Sequence, residues 1–208
     1  LNRSRLLWLS AWGAAFLALL TPLLFGALHP DYQQMRDYIS ELGAVDAPHA
    51  WWVAWFGFLP IGLLTAVTAI LLPGALPKGR LAVVAPLLML GVGVSLGYVG
   101  AIIWPCDPGC PTVGSATQQI HNLLGLLEYG LGGLGLFLFA RLFWPLPEWR
   151  SLALIMAGLG VVVWFALGMM GDPQQAEWRG GWQRLAEISL FGGMLWIVRQ
   201  AEQKSRTT

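Results

Sequence analysis

Charge is what this 208-residue chain has least of: 11% of its residues are Asp, Glu, Lys or Arg, against 56% hydrophobic. A soluble domain of that length cannot bury so much apolar surface, so the sequence calls for a bilayer. It also has no Walker-type GxxxxGK, no GxGxxG following a strand, no haem-binding CxxCH, no HExxH and no basic patch. Those absences remove the ordinary signatures of nucleotide, haem and nucleic-acid binding and of one familiar metal-dependent hydrolase type. Cysteine falls to two, and that pair alone supplies fewer ligands than a structural zinc site uses.

What the chain does have is long apolar runs. A helix needs about 20 apolar residues to cross a hydrocarbon core of roughly 30 Å. Six runs qualify, at about Leu6–Leu28, Ala50–Leu72, Leu81–Trp104, Ile120–Trp144, Leu152–Gly171 and Trp182–Arg199. The expected fold is all-α, a single six-transmembrane-helix bundle over 1–208. The first run lacks a small-residue cleavage site before its polar flank and reads as a retained span. Between the runs lie loops at 29–49, 73–80, 105–119, 145–150 and 172–181.

Arg3, Arg5, Lys78, Arg80, Arg141, Arg150, Arg199, Lys204 and Arg206 fall on one side of such a bundle. Only Arg36, Arg179 and Arg184 fall on the other. Lys and Arg beside spans stay in the cytoplasm, so both termini are expected there, with 73–80 and 145–150 as cytoplasmic loops. Asp31, Asp37, Glu41, Asp46, Asp107, Asp172 and Glu177 then collect on the extracytoplasmic side, and the cytoplasmic loops leave no room for a soluble catalytic domain. On that outer side Cys106 and Cys110 bracket Asp107-Pro108-Gly109, where a disulfide is expected over metal binding or free thiols.

The first outer loop alternates charges through Arg36, Asp37, Ser40 and Glu41 and ends in Gly43. It reads either as a short amphipathic helix on the membrane or as a solvated loop. Glycines 91, 93, 97, 100, 125, 132 and 133 mark the third and fourth spans as the tight centre, or as a dimerisation face. Two hairpins, each with an Asp-Pro corner (Asp107-Pro108 and Asp172-Pro173), are candidates for a degenerate repeat.

In the fourth span Gln118, His121, Gly125, Glu128 and Gly132 form one polar or small stripe. Glu128 sits about 10 Å deeper than His121. An unpaired carboxylate there costs at least ~2.5 kcal/mol, so it is paired, protonated or facing a wet cavity. Arg184 and Glu187, one turn apart, either join His121 and Glu128 around one cavity roofed by Ser40 or neutralise each other.

Ser40-Glu41-Leu42-Gly43 after the first span, Pro105 and Asp107 after the third, and His121 at the start of the fourth resemble the pattern of domain-of-unknown-function family 998. The resemblance implies a six-span protein of a bacterial or archaeal cytoplasmic membrane with polar positions at Ser40, Glu41, Asp107 and His121, and it brings no activity. Two functions are therefore weighed. In the first, a membrane-embedded hydrolase acts on a lipid or other amphiphile. His121 is its base, acting on Ser40 or water, Asp107 or Glu41 orients the imidazole, and Arg36, Glu128, Arg184 and Glu187 bind substrate. A variant places a divalent metal such as zinc on His121, Asp107 and Glu41, with His29. In the second, the same charges bind or transport a polar head group or protons, or the chain is a structural subunit. Membrane lipids and a second copy are the expected partners, and nucleic acid is not.

Overall fold

The structure, a computed structural model, describes residues 2–205. Arg206, the last of the inner-side cations, lies outside them. Six long helices follow in order: α1 (Arg3–Leu28), α2 (Ala50–Ala75), α3 (Leu81–Ile103), α4 (Ala116–Phe143), α5 (Pro147–Gly171) and α6 (Arg179–Ser205). The described residues contain no strand. The first five are long and apolar enough to cross a membrane. α6 matches them in length but carries Arg184, Glu187, Arg199, Glu202 and Lys204, so it is more polar than the apolar run at Trp182–Arg199 suggests.

Asn2 starts α1 by accepting from the Arg5 N–H at 2.9 Å, and Ser115 starts α4 by accepting from the Gln118 N–H at 3.1 Å, each satisfying an orphan donor of a first turn. α4 begins at Ala116, four residues before the apolar run, because that cap extends it into the polar loop. α1 packs on α2, α4 on α5 and on the middle of α3, and α5 on α6, with α1 and α6 closing the ring.

Two helices contain wide turns, Val53–Phe58 in α2 and Leu87–Ser95 in α3. There a backbone N–H reaches back five residues, as from Leu59 to Ala54 and from Leu96 to Gly91. Such turns shift side-chain register inside a helix and recur at functional sites. α5 between Arg150 and Gly171 has none, so the two candidate repeat hairpins differ in backbone.

The glycines of α3 are spent inside the chain. A Cβ at Gly93 would lie 3.2 Å from the Glu128 carbonyl oxygen, one at Gly97 2.5 Å from Glu128 Oε2, and one at Gly135 would strike Met89. Gly93 and Gly97 therefore face α4.

The segment at 29–49 is not an amphipathic helix on a surface. It is a run of turns with Asp31, Asp46 and His49 at positive φ, and one 3-10 turn at Ile39–Gly43. Ile39 and Leu42 are buried, so the turn plugs the end of the bundle. Burial of two apolar side chains outweighs the solvation its alternating charges would gain at an interface. The Tyr38 N–H donates to Glu41 Oε1 at 2.9 Å, which caps that turn.

Candidate functional site

One end of the bundle gathers the segments at 29–49, 104–115 and 172–178. Arg179, which the sequence did not single out, ties them together. Its guanidinium reaches Glu41 Oε1 at 3.0 Å, the Gly109 carbonyl at 3.2 Å and the Arg36 carbonyl at 3.3 Å, and lies over the Tyr38 ring. Burial pushes the Glu41 carboxyl up, against the pull of the Tyr38 N–H and Arg179.

Arg184 does not neutralise Glu187. Its guanidinium donates to Tyr32 Oη at 2.6 Å, Gln34 Oε1 at 2.8 Å, the Gly180 carbonyl at 2.9 Å and the Asp37 carbonyl at 3.0 Å. Burial pushes the Tyr32 phenol up to about 12, partly offset by Arg184, so it stays a neutral acceptor for the guanidinium. Arg184→Ala strands these part-buried acceptors and is expected to cost about 3 kcal/mol, read as a lowered melting temperature and faster proteolysis within 29–38.

Arg36 is committed to Asp37, at 2.6 Å to Oδ1 and 3.0 Å to Oδ2, and the Gln33 N–H reaches Asp37 Oδ2 at 2.7 Å. Burial works against the charged Asp37, but these bonds outweigh it and hold the carboxyl below its usual value. A lowered acid stabilises the fold above the unfolded value, about pH 4, and loses that contribution as pH falls through the folded one. The stability difference between the wild type and Asp37→Asn should therefore be full above about pH 4 and close on further acidification, as melting temperatures across pH will show.

Beneath this lid lies a cavity of about 50 Å³, room for a few waters, lined by Ser40, Tyr98, His121, Glu128, Tyr129 and Glu187 among others. Glu187 Oε1 accepts from Tyr129 Oη at 2.8 Å and Oε2 from Tyr98 Oη at 3.1 Å. Gln183 Nε2 donates to Tyr129 Oη at 3.0 Å, and the Ile39 N–H donates to Gln183 Oε1 at 2.6 Å. A continuous chain of hydrogen bonds thus joins the plug to α6, α4 and α3. Glu128 lines the same cavity, and its Oε1 is buried without a hydrogen-bond partner among the described residues.

A second cavity of about 470 Å³ opens sideways between α4 and α5, past Leu126, Leu167 and Met170. Ser40, His121, Gly125, Tyr129 and Gln183 line both cavities, so they stand at the passage between them. His121 Nδ1 is 2.9 Å from the Trp104 carbonyl. A carbonyl only accepts, so Nδ1 carries the proton and Nε2 keeps its lone pair.

The other expected residues lie elsewhere. The group that orients His121 is the Trp104 carbonyl rather than Asp107 or Glu41. Asp107 instead accepts from the Ser115 N–H and hydroxyl, both at 2.8 Å, and these bonds hold its carboxyl below the usual range. Glu41, Arg36 and His29 border a separate surface depression, where His29 Nδ1 approaches the Pro30 carbonyl at 2.7 Å. The metal set of His121, Asp107, Glu41 and His29 does not assemble, because its members are bound in different places. Among the described residues the one grouping with metal-ligand spacing is Cys106, Cys110 and His121, with ligand atoms within 4.8 Å of one another. Its two sulfurs are joined as the expected disulfide. Both cysteines are buried, and the Ser40 hydroxyl donates to Cys110 Sγ at 3.3 Å, since an oxidised sulfur has no proton to give.

All four tyrosines of the chain serve this end: Tyr32 on Arg184, Tyr38 beneath Arg179, Tyr98 and Tyr129 on Glu187. Tyrosine is scarce here beside 12 Trp, and its polar tip needs a partner when buried. That was the available signal for Tyr98 and Tyr129.

Fold and site together define an all-helical membrane protein whose polar groups converge on a buried cavity at one end. The family described as Protein of unknown function (DUF998) matches residues 13–199, and the chain belongs to it. Neither the curated proteins nor the solved structures provide a match.

Proposed function

We propose that the chain crosses the cytoplasmic membrane six times with both termini inside, and that its outer cavity takes an amphiphile from the bilayer and hydrolyses it. The orientation rests on where the cations lie. Arg3, Lys78, Arg80, Arg141, Arg150, Arg199 and Lys204 sit at or near the helix ends and loops away from the cavity. Val113, 80% exposed in the cavity-side loop, provides the test. A maleimide that does not cross membranes should label Val113→Cys in intact cells and leave Lys78→Cys unlabelled; the reverse pattern overturns the orientation.

The observation that carries the hydrolytic reading is the placement of Ser40 and His121 on both cavities at once. A tail lying between α4 and α5 brings the first polar atoms of its head group to His121. With Nδ1 fixed on Trp104, Nε2 takes a proton from water, the hydroxide adds to the ester or amide carbon, and the proton passes to the leaving group. Water is the nucleophile because the Ser40 hydroxyl is given to Cys110 Sγ. The test uses purified protein in nanodiscs containing phosphatidylethanolamine and phosphatidylglycerol with fluorescent acyl chains. Release of labelled acid that is lost in His121→Ala supports hydrolysis, and no release from either lipid by the wild type contradicts it.

Ser40 bonds Cys110 Sγ and His121 bonds the Trp104 carbonyl rather than each other, which favours the second reading, a binding or transport protein. In that case His121→Ala loses the ligand itself rather than turnover.

A further inference from the structure

We infer that the carboxyls of Glu128 and Glu187, which line one cavity, form the receptor for a primary ammonium group, which makes the amphiphile of the preceding section one whose head group carries a primary amine. This rests on the outer-cavity reading and adds the head-group class to it.

Three observations converge. The charged side chains lining the inner cavity are both acids, and none of the lining residues is Lys or Arg. Arg184, the nearest guanidinium in sequence, faces the lid, where four acceptors hold it. Glu187 has both oxygens satisfied by phenols, while Glu128, only 8% exposed, lines the cavity with Oε1 unpartnered. An orphaned acceptor at that depth calls for a donor, and an N–H of an ammonium group supplies one together with a compensating charge.

The walls suit the same guest. Phe58, Tyr98 and Tyr129 line the cavity, with the Phe58 and Tyr98 rings edge to face at 5.7 Å. Aromatic faces attract cations in desolvated sites. The volume of about 50 Å³ holds an ammonium group, and the rest of a head group stays in the adjoining cavity of about 470 Å³. Gly125 lies on both cavities, and a Cβ there would meet nothing within 4 Å, so the passage from the lateral groove to the carboxyls is open.

The test is binding of tritiated dodecylamine, which is protonated at neutral pH and has no bond to hydrolyse, to the full chain in nanodiscs, with empty nanodiscs subtracted. Dodecanol and ethylamine are the competitors. The wild type should prefer dodecylamine about ten-fold or more over dodecanol, and ethylamine should compete poorly. Glu128→Gln should remove the preference while dodecanol binding stays. Because Glu128 Oε1 holds no other group, that variant should keep the wild-type elution profile. Gly125→Leu, which removes no charge, should block dodecylamine by filling the passage. Equal binding of amine and alcohol, or a preference that survives Glu128→Gln, overturns the inference. Competition by ethylamine as strong as by dodecylamine overturns the amphiphile and leaves a small-cation site. Since dodecylamine is not a substrate, failure here leaves hydrolysis of labelled lipids standing, and failure of hydrolysis leaves this preference standing.

Discussion

Glu187→Leu is expected to destabilise the fold by about 4 kcal/mol, because two buried phenols lose their acceptor at once and each stranded group costs ~1–3 kcal/mol. Tyr98 and Tyr129 reach Glu187 from α3 and α4, so this one carboxyl on α6 fastens three helices. Glu187→Gln keeps an acceptor oxygen for one phenol and should cost only about 1 kcal/mol. Adding Tyr98→Phe and Tyr129→Phe to Glu187→Leu should recover part of the loss, since removing both partners of a hydrogen bond is nearly neutral while removing one is not. Denaturant titration in mild detergent gives the ranking. Equal losses for Leu and Gln would mean that the phenols are satisfied from elsewhere.

His121→Ala should lower turnover by about 10²–10⁴ with ligand affinity almost unchanged. The imidazole is held through Nδ1 by the Trp104 carbonyl and makes no other hydrogen bond among the described residues, so its removal leaves the hydrogen-bond network below it intact. A split between kcat and KM separates the two readings directly. A fall in kcat alone marks a base, and a rise in KM alone marks a ligand contact. Ser40→Ala should have a smaller effect than His121→Ala, because its hydroxyl is engaged by Cys110 Sγ rather than by the imidazole.

The helices were legible in the sequence because apolar length is a direct consequence of bilayer thickness, and the glycine-rich centre was legible because backbone approach in lipid needs small side chains. The stripe on α4 was legible for the same reason that any amphipathic face is: His121, Gly125 and Glu128 recur at helical spacing and line one cavity. The partners were not. Arg184 and Glu187 share a face one turn apart, yet Arg184 turns to Tyr32, Gln34 and the loop carbonyls while Glu187 turns to Tyr98 and Tyr129. Pairing across the bundle depends on how the 29–49 segment folds, and a run of turns with several positive-φ residues carries no periodicity to read. Asp107 illustrates the same point. Its position before α4 suggested a catalytic role, but its carboxylate goes to Ser115, the residue that caps the helix. Arg179 was legible only as an outer-side cation, because it stands at the start of α6 with no acid at helical spacing, and its acceptors come from other loops.

The central claim is that a groove between α4 and α5 leads from the bilayer to His121 and the Glu128–Glu187 pair. A photoreactive amphiphile with a diazirine in its tail, cross-linked in native membranes and mapped by mass spectrometry, tests it most directly. Adducts concentrated at Leu126, Leu167 and Met170, and suppressed in Gly125→Leu, are the predicted result. Labelling spread evenly over lipid-facing residues such as Phe16, Ile70 and Leu154, with none enriched in the groove, would contradict it.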